Sequence, residues 1–353
     1  MMKKFYTLSI CLVVFIAASQ QANSQTSNCS QTLRLAQSVY EQGRLQEIET
    51  ILKPCLDKND FTLEEKVNAY KLLCLTKIYL EEPDEADAYM LKILETNHEF
   101  EIKEAVDPAE FVALYKTFRT DPIYRLGGRL GGVLTNPNVV SSDIVNDGSS
   151  NYQTRLGFAL HLTAEIPLNR ILNKFTLNPE IVIQGKSFTH TNTLSDFESE
   201  GIESQRWISL PVVLQYRAFE NKKGSKKGTF RIYGGLGASL DYLLGSEVTV
   251  TKIRGESASA LPEKSIDISD QRESLSYSLV AVTGFKKKLG KGWLIGEVRY
   301  QHGLKAITKK ENTFVNPTLT FDYGLVDSIF KQNTLTVSAG YVINIYKPKK
   351  LSK

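Results

Sequence analysis

Seven charged residues, Arg129, Glu165, Glu180, Arg217, Asp241, Glu297 and Arg299, fall on the polar side of segments in which apolar and polar residues alternate. If those segments close into a narrow barrel, the seven point inward, where a charge is tolerated only when it is paired and hydrogen-bonded. The chemistry they predict is a network of mutually neutralising charges that fills a lumen. A selective pore or a proton path, the functional alternative, needs a wider opening than eight strands leave. Enzymatic chemistry has little to stand on. The histidines are His98, His161, His190 and His302, and no Gly-x-Ser-x-Gly elbow, His-Glu-x-x-His helix or phosphate-binding glycine loop accompanies them. Gly127, Gly128, Gly131 and Gly132 sit in a strand pattern with no helix after it, so they do not make a nucleotide loop. No catalytic residue, metal ligand or cofactor site is expected, and a hydrolase that pairs a serine with His161 or His302 ranks last among the readings.

The elements that carry these charges start beyond Asp121 and Pro122, where the apolar period becomes two. Eight stretches alternate, at 125–134, 154–166, 174–185, 205–218, 229–244, 272–287, 292–302 and 332–346. In the last, Leu335, Val337, Ala339, Tyr341, Ile343 and Ile345 share one face. Linkers alternate too: 135–153, 186–204, 245–271 and 303–331 are long, and the ones between are short. Long loops at one end and tight turns at the other are the plan of a transmembrane barrel, with both termini at the turn end. A soluble eight-stranded binder would instead expose the polar face, and here that face is rich in Gly and Ser with scattered charges, which suits a lumen. Aromatics near strand ends, Phe175, Tyr216, Phe230, Tyr242, Phe285, Tyr300 and Tyr341, would form interfacial girdles.

Ahead of the strands the pattern is helical. Lys3 and Lys4, the apolar run to Ala18, and Ala22 with Ser24 before Gln25 read as a signal peptide over residues 1–24. Apolar residues then recur at helical spacing from Gln31 to Phe118. The first and third helices lie a little over thirty residues apart, each followed by a second helix, which is the layout of tetratricopeptide-like hairpins; a plain helical bundle is the competing arrangement. Thr62 and Glu65 are spaced as a capping box. Export permits disulfides, and Cys29 and Cys55, at one end of an antiparallel hairpin, form the candidate pair, leaving Cys74 as a buried thiol.

The 353 residues carry a net charge of +4 and a mean hydropathy of -0.22. Residues 25–120 hold 11 basic and 18 acidic side chains, and residues 121–353 hold 30 and 21. The basic excess concentrates at the turn end, with Lys222, Lys223, Lys226 and Lys227 in one turn and Lys286, Lys287, Lys288 and Lys291 in another. This basic periplasmic rim would meet lipid headgroups and attract the acidic helical domain. Such a balance does not suit nucleic acid, and no small-molecule substrate is expected.

The stretches LNPEIVIQGKSF, RWISLPVVLQYRAF and FRIYGGLGASLDYLL resemble the PorT-like outer-membrane β-barrel family of Bacteroidetes, with Glu180 at that family's third-strand glutamate. The element EIKEAVDPAEFVALYKTFRT is similar to one that closes tetratricopeptide-like domains in exported proteins of that phylum. The resemblance implies an accessory subunit of an outer-membrane machine, in type IX secretion or outer-membrane protein assembly. The expectation is therefore an α + β multidomain chain: signal peptide 1–24, a periplasmic tetratricopeptide-like domain 25–120, and an eight-stranded antiparallel transmembrane β-barrel 121–353. It is a non-enzymatic outer-membrane anchor whose partners are outer-membrane lipid and, through the helical domain, other outer-membrane or periplasmic proteins. A surface binding protein or adhesin using the long loops is the alternative.

Overall fold

The computed structural model describes residues 28–141, 149–169, 171–193, 198–221, 228–254, 261–312 and 314–351. Residues 1–24, expected to be a signal peptide, and the lysines 222, 223, 226 and 227 lie outside this set. Two compact units result, one built from the chain up to Thr120 together with Lys347 onward, the other from Asp121–Tyr346.

The first unit contains α1 (Asn28–Glu41), α2 (Ile48–Lys58), α3 (Leu63–Tyr79), α4 (Pro83–Thr96) and α5 (Ala109–Lys116). α1 packs on α2 and α3 on α4. Thr62 caps α3 by accepting from the Glu65 amide while the Glu65 carboxylate accepts from the Thr62 amide, and Pro83 starts α4 where its missing N–H costs nothing. Helix α3 is not the one-sided helix its apolar stripe predicts. Ala69, Leu72, Leu75 and Thr76 are buried as well as Val67, Leu73 and Cys74, because α3 is wrapped by its neighbours. Even Lys77 is buried, held by Glu49 (3.0 Å), Glu82 (2.8 Å) and Glu85 (2.6 Å). Burial alone would lower its pKa, and the three carboxylates hold it above the usual lysine value. Leu35 on α1 is exposed.

Cys29 and Cys55 are joined by a disulfide across 26 residues of sequence. Cys74 is a free, buried thiol whose pKa burial pushes up to about 12, which keeps it protonated and unreactive. Asp107 opens the last helical segment. It accepts from the Lys103 amide (2.6 Å) and from the Lys71 ammonium.

The basic tail belongs to this unit and not to the barrel, which corrects the boundary expected at 121–353. Phe118 and Lys350 form an antiparallel bridge, the Arg119 amide donates to the Lys349 carbonyl (2.9 Å), the Leu351 amide donates to the Thr117 carbonyl (2.8 Å), and Lys350 pairs with Asp87. Backbone groups left unpaired where the last strand ends are satisfied here.

The second unit holds β1 (Tyr124–Ser141), β2 (Ser149–Thr154), β3 (Leu156–Pro167), β4 (Phe175–Thr193), β5 (Glu198–Glu220), β6 (Phe230–Arg254), β7 (Lys264–Asp267), β8 (Leu275–Leu289), β9 (Gly292–Gly303) and β10 (Ile329–Ile345). Each of eight long strands pairs antiparallel with two neighbours, in the ring β1, β3, β4, β5, β6, β8, β9, β10 and back to β1. Pairing of the first strand with the last, from Tyr124 with Ile345 to Ser141 with Ile329, closes the barrel and leaves no open edge in the ring. Gly290, at φ +56°, makes the tight turn from β8 to β9.

The strands outrun their expected ends on the long-loop side. The linker 186–204 is largely a ladder running from Lys186 opposite Gln205 to Thr193 opposite Glu198. β2 and β7 lie in linkers read as loops and pair with β4 and β6. Phe188, Trp207, Leu243, Ile307 and Phe330 form an apolar cluster there, and Val248, Val250, Ile268, Leu319, Tyr323 and Leu325 another. These side chains supply the core that the short segments need to hold strand geometry.

Closing 26 residues with a disulfide stabilises by about 3–4 kcal/mol in the chain-entropy account. Cys29→Ser, or reduction, is expected to lower the melting temperature of the 222 nm helical signal while the folded-barrel band on unheated gels persists. A second expectation concerns acid. Burial acts to raise the Asp107 pKa, but Lys71 and the Lys103 amide override it and hold the carboxyl below its ordinary value. The stabilisation from that ionised carboxylate is complete above the unfolded-state pKa of roughly 3.9 and is lost as pH falls through the lower folded value. The helical melting temperature of Asp107→Asn should therefore converge on that of the unsubstituted chain below about pH 4; an equal gap between the two at pH 7 and pH 3 would contradict the assignment.

Candidate functional site

The barrel interior follows from strand parity. On β1 the odd positions Arg125, Arg129 and Val133 are buried and the even positions Leu126, Leu130 and Leu134 are exposed. The same split runs around the ring: Leu156 and Leu236 are 74% and 72% exposed, while Glu165 and Arg299 are 0% and 1% exposed. The apolar face is outside and the charged face inside.

Five of the seven expected lumen charges fall into two linked groups. Glu180 lies at the centre of one. It accepts from Arg129 Nη2 (2.8 Å), Arg299 Nη2 (2.9 Å) and Asn178 Nδ2 (2.5 Å), and His161 Nδ1 is 3.2 Å from its other oxygen. Glu297 accepts from Arg129 Nη2 (3.1 Å), Arg299 Nε (3.1 Å) and the Tyr233 hydroxyl (2.8 Å). Two guanidiniums and two carboxylates thus cancel, and each carboxylate touches both cations. Space for Tyr233 comes from Gly284, where a Cβ would approach the hydroxyl to 2.7 Å. Glu165 belongs to the second group, accepting from Lys286 Nζ (2.6 Å) and Arg125 Nη1 (3.1 Å).

Two expectations need correcting. Arg217 keeps the inward parity of Val213 and Gln215 but lies at the turn end of the lumen, where it pairs with Glu220 at 3.3 Å and not with the central network. Asp241 is buried, but its oxygens accept from the hydroxyls of Ser239 (2.7 Å) and Ser278 (2.9 Å). The basic rim is corrected at Lys286, which is 5% exposed and points into the lumen. Lys287 and Lys291 are exposed and Lys288 half-buried around the turn.

Several lumen residues were outside the sequence-based set. Arg125, Lys286 and Tyr233 carry the parity of their inward neighbours Arg129, Val282 and Gly235, a signal present in the alternation itself. A further charge group lies toward the long-loop end and rests on contacts that alternation does not encode. Arg272 donates to both oxygens of Glu203 (2.8 and 2.5 Å) and pairs with Asp327, while Tyr152 stacks on His190 at 4.3 Å. Ser150 Oγ lies 2.8 Å from His190 Nε2. His161 and His302, the histidines weighed for hydrolysis, differ: His161 is bound into the charge network and His302 sits on β9 opposite Leu279 and Asn333. Among the described residues no group of His, Cys, Asp or Glu is placed to hold a metal ion. What the central network can do chemically is hold charge in register, since its two carboxylates and two guanidiniums neutralise one another.

Comparison with known proteins is consistent with this architecture. The outer membrane protein beta-barrel domain family matches residues 124–309. Similar solved structures include a neisserial surface protein A, 12% identical, covering 63% of this chain and 97% of that one at a TM-score of 0.32. OprG from Pseudomonas aeruginosa is 15% identical over 64% of this chain and 98% of its own, at a TM-score of 0.33. The attachment invasion locus protein Ail of Yersinia pestis, solved with a heparin analogue, is 13% identical over 62% and 99%, at 0.28. At these scores the likenesses add nothing to the closed strand pairing, on which the barrel rests. No curated protein matches the chain.

Removing Glu180 leaves the buried Arg129 and Arg299 sharing one carboxylate. Glu180→Ala is expected to destabilise the barrel by about 3–5 kcal/mol, whereas Arg217→Ala, which breaks a partly exposed pair, should cost about 1 kcal/mol or less. Urea unfolding of the full chain in detergent micelles measures both, and equal losses would contradict the assignment.

Proposed function

The chain belongs to the outer membrane protein beta-barrel domain family, and from that premise we propose that its barrel is a closed anchor that holds a protein-binding helical domain in the periplasm. Residues 1–24 are the signal peptide in this reading, and the tetratricopeptide-like unit recruits or steadies other outer-membrane or periplasmic proteins as an accessory of a larger outer-membrane machine. The machine belongs to type IX secretion or outer-membrane protein assembly, the classes implied by the PorT-like strand motifs.

One observation carries this reading. The helical unit incorporates both chain segments that leave the barrel, because the residues before β1 and the residues after β10 pair with each other inside it at Phe118 and Lys350. A domain merely tethered to a barrel needs one linker; this one is attached at two. The filled lumen supports the same view, since a barrel plugged by paired charges serves as a fixture and not as a conduit. Lipid contact is supported by the outward leucines and by aromatic pairs at the turn end, Phe175 with Tyr216 at 5.2 Å and Phe230 with Phe285 at 6.1 Å. Tyr242 and Tyr277, both half exposed, mark the opposite interface.

A second reading, a surface binding protein, is favoured by the length of β5 and β6. At 23 and 25 residues they exceed by a dozen or more the roughly 9–11 that cross a bilayer, and they carry an ordered outer layer with its own apolar clusters. The two readings separate by co-purification from solubilised outer membranes. Stoichiometric larger partners that survive shortening of the outer hairpins, and are lost when residues 28–120 are deleted, are the expected result. A lone barrel whose only ligand is external and depends on those hairpins would overturn the anchor reading.

A further inference from the structure

At the turn end of the barrel interior, below the Glu165 group, lies a small cavity open to solvent. Arg125, Lys174, Arg217, Arg231 and Lys286 all line it, with Gln215 and Tyr233. Among the described residues the carboxylates that touch these cations are two. Glu165 is shared by Arg125 (3.1 Å) and Lys286 (2.6 Å), and Glu220 by Arg217 (3.3 Å) and Arg231 (2.7 Å). Each carboxylate offsets one of its two cations, Lys174 adds another, and three positive charges remain around one hollow.

Gln215 supplies a separate observation. It is 2% exposed and lines the cavity, its Oε1 accepts from Lys286 Nζ at 3.0 Å, and its Nε2 has no hydrogen-bond partner. The bond from Lys286 fixes which end of the amide is the donor. A buried amide donor without an acceptor costs free energy, and one placed beside excess cations calls for an anionic oxygen.

We infer that this cavity is a binding site for a phosphate-type oxyanion. Guanidiniums at Arg125, Arg217 and Arg231 offer planar, paired donors, Lys174 at the exposed lip offers a mobile one, and Gln215 Nε2 offers a neutral donor from within. Three uncompensated charges suit a phosphate dianion or monoester better than a single carboxylate. The ligand is either free phosphate in the aqueous compartment or the phosphate of a lipid headgroup reaching the barrel mouth. This site is independent of which proteins the helical unit binds.

Arg231 also lies over the Trp293 ring, 4.1 Å from its centroid, so occupancy next to Arg231 should change Trp293 emission. The test uses the full chain carrying Trp207→Phe, in maltoside micelles that contain no phosphate, at constant ionic strength. Inorganic phosphate is one titrant, and dihexanoyl phosphatidic acid, a phosphate monoester, below its micelle concentration is the other, each followed by calorimetry and Trp293 emission. Saturation at one equivalent by inorganic phosphate identifies the free anion, and saturation by the lipid alone identifies the headgroup; either supports the site. Gln215→Leu and, on the exposed turn, Lys174→Gln should each weaken binding by about tenfold, with Lys287→Gln unchanged. Lys174→Gln keeps the test open if Gln215→Leu fails to fold. Absence of saturation by both titrants, or binding by Lys174→Gln equal to that of the parent, overturns the inference.

Discussion

An eight-stranded barrel has an interior that must be filled by its own side chains, and in this protein the filling is charged. That choice makes neutralisation inside the ring the condition for everything else. Arg129 and Arg299 can be buried only because Glu180 and Glu297 reach both of them, and those four residues come from β1, β4 and β9, three strands spread around the ring. The ion pairs therefore act across the barrel, where the backbone ladder acts only between neighbours. An apolar filling of the same volume could be equally stable, but it would tolerate sliding; a matched set of four charges has one register in which every partner is found.

The outer face meets the opposite demand. Arg129, Glu165, Glu180, Glu297 and Arg299 each have an exposed leucine, isoleucine, valine or tyrosine next to them in the chain, as Leu130 beside Arg129 and Val298 beside Arg299 illustrate. A shift of one residue would place a leucine among guanidiniums and an arginine against hydrocarbon. Lumen and outer face thus enforce the same register from two sides. The helical unit follows a different logic, in which a central helix buried on every side makes room for a lysine only by surrounding it with three glutamates.

Much of this was legible in the alternation of residues, and the failures are instructive. Period two located the eight ring strands and assigned Arg129, Glu165, Glu180, Glu297 and Arg299 inward. Lys286 was misplaced because Lys286, Lys287 and Lys288 read as one basic cluster, although parity with Val280 and Val282 separates the first from its neighbours. Arg217 keeps its inward parity, but alternation does not say how far along the lumen a residue sits, and Arg217 lies at the turn end with Glu220, away from the central charges. The outer hairpin residues, such as Phe188, His190 and Glu203, looked like loop because their alternation is between polar and weakly apolar side chains. Their strand geometry comes from Trp207, Phe330 and Arg272, residues distant in sequence. Nothing in the run of Lys and Pro after β10 reveals that its backbone pairs with Thr117 and Arg119.

That pairing has a consequence for the order of assembly. The tail follows β10 in the chain and is therefore synthesised after every strand of the ring. Helices α1 to α5 can form earlier, but the edge at Thr117–Arg119 has no partner until residues 347–351 arrive, immediately after β10 has become available to close the ring on β1. Completion of the helical unit in this way reports that the chain has been made past β10: a product that stops before β10 lacks both the closing strand and the segment that finishes the domain, so it cannot display an intact domain on an unfinished barrel.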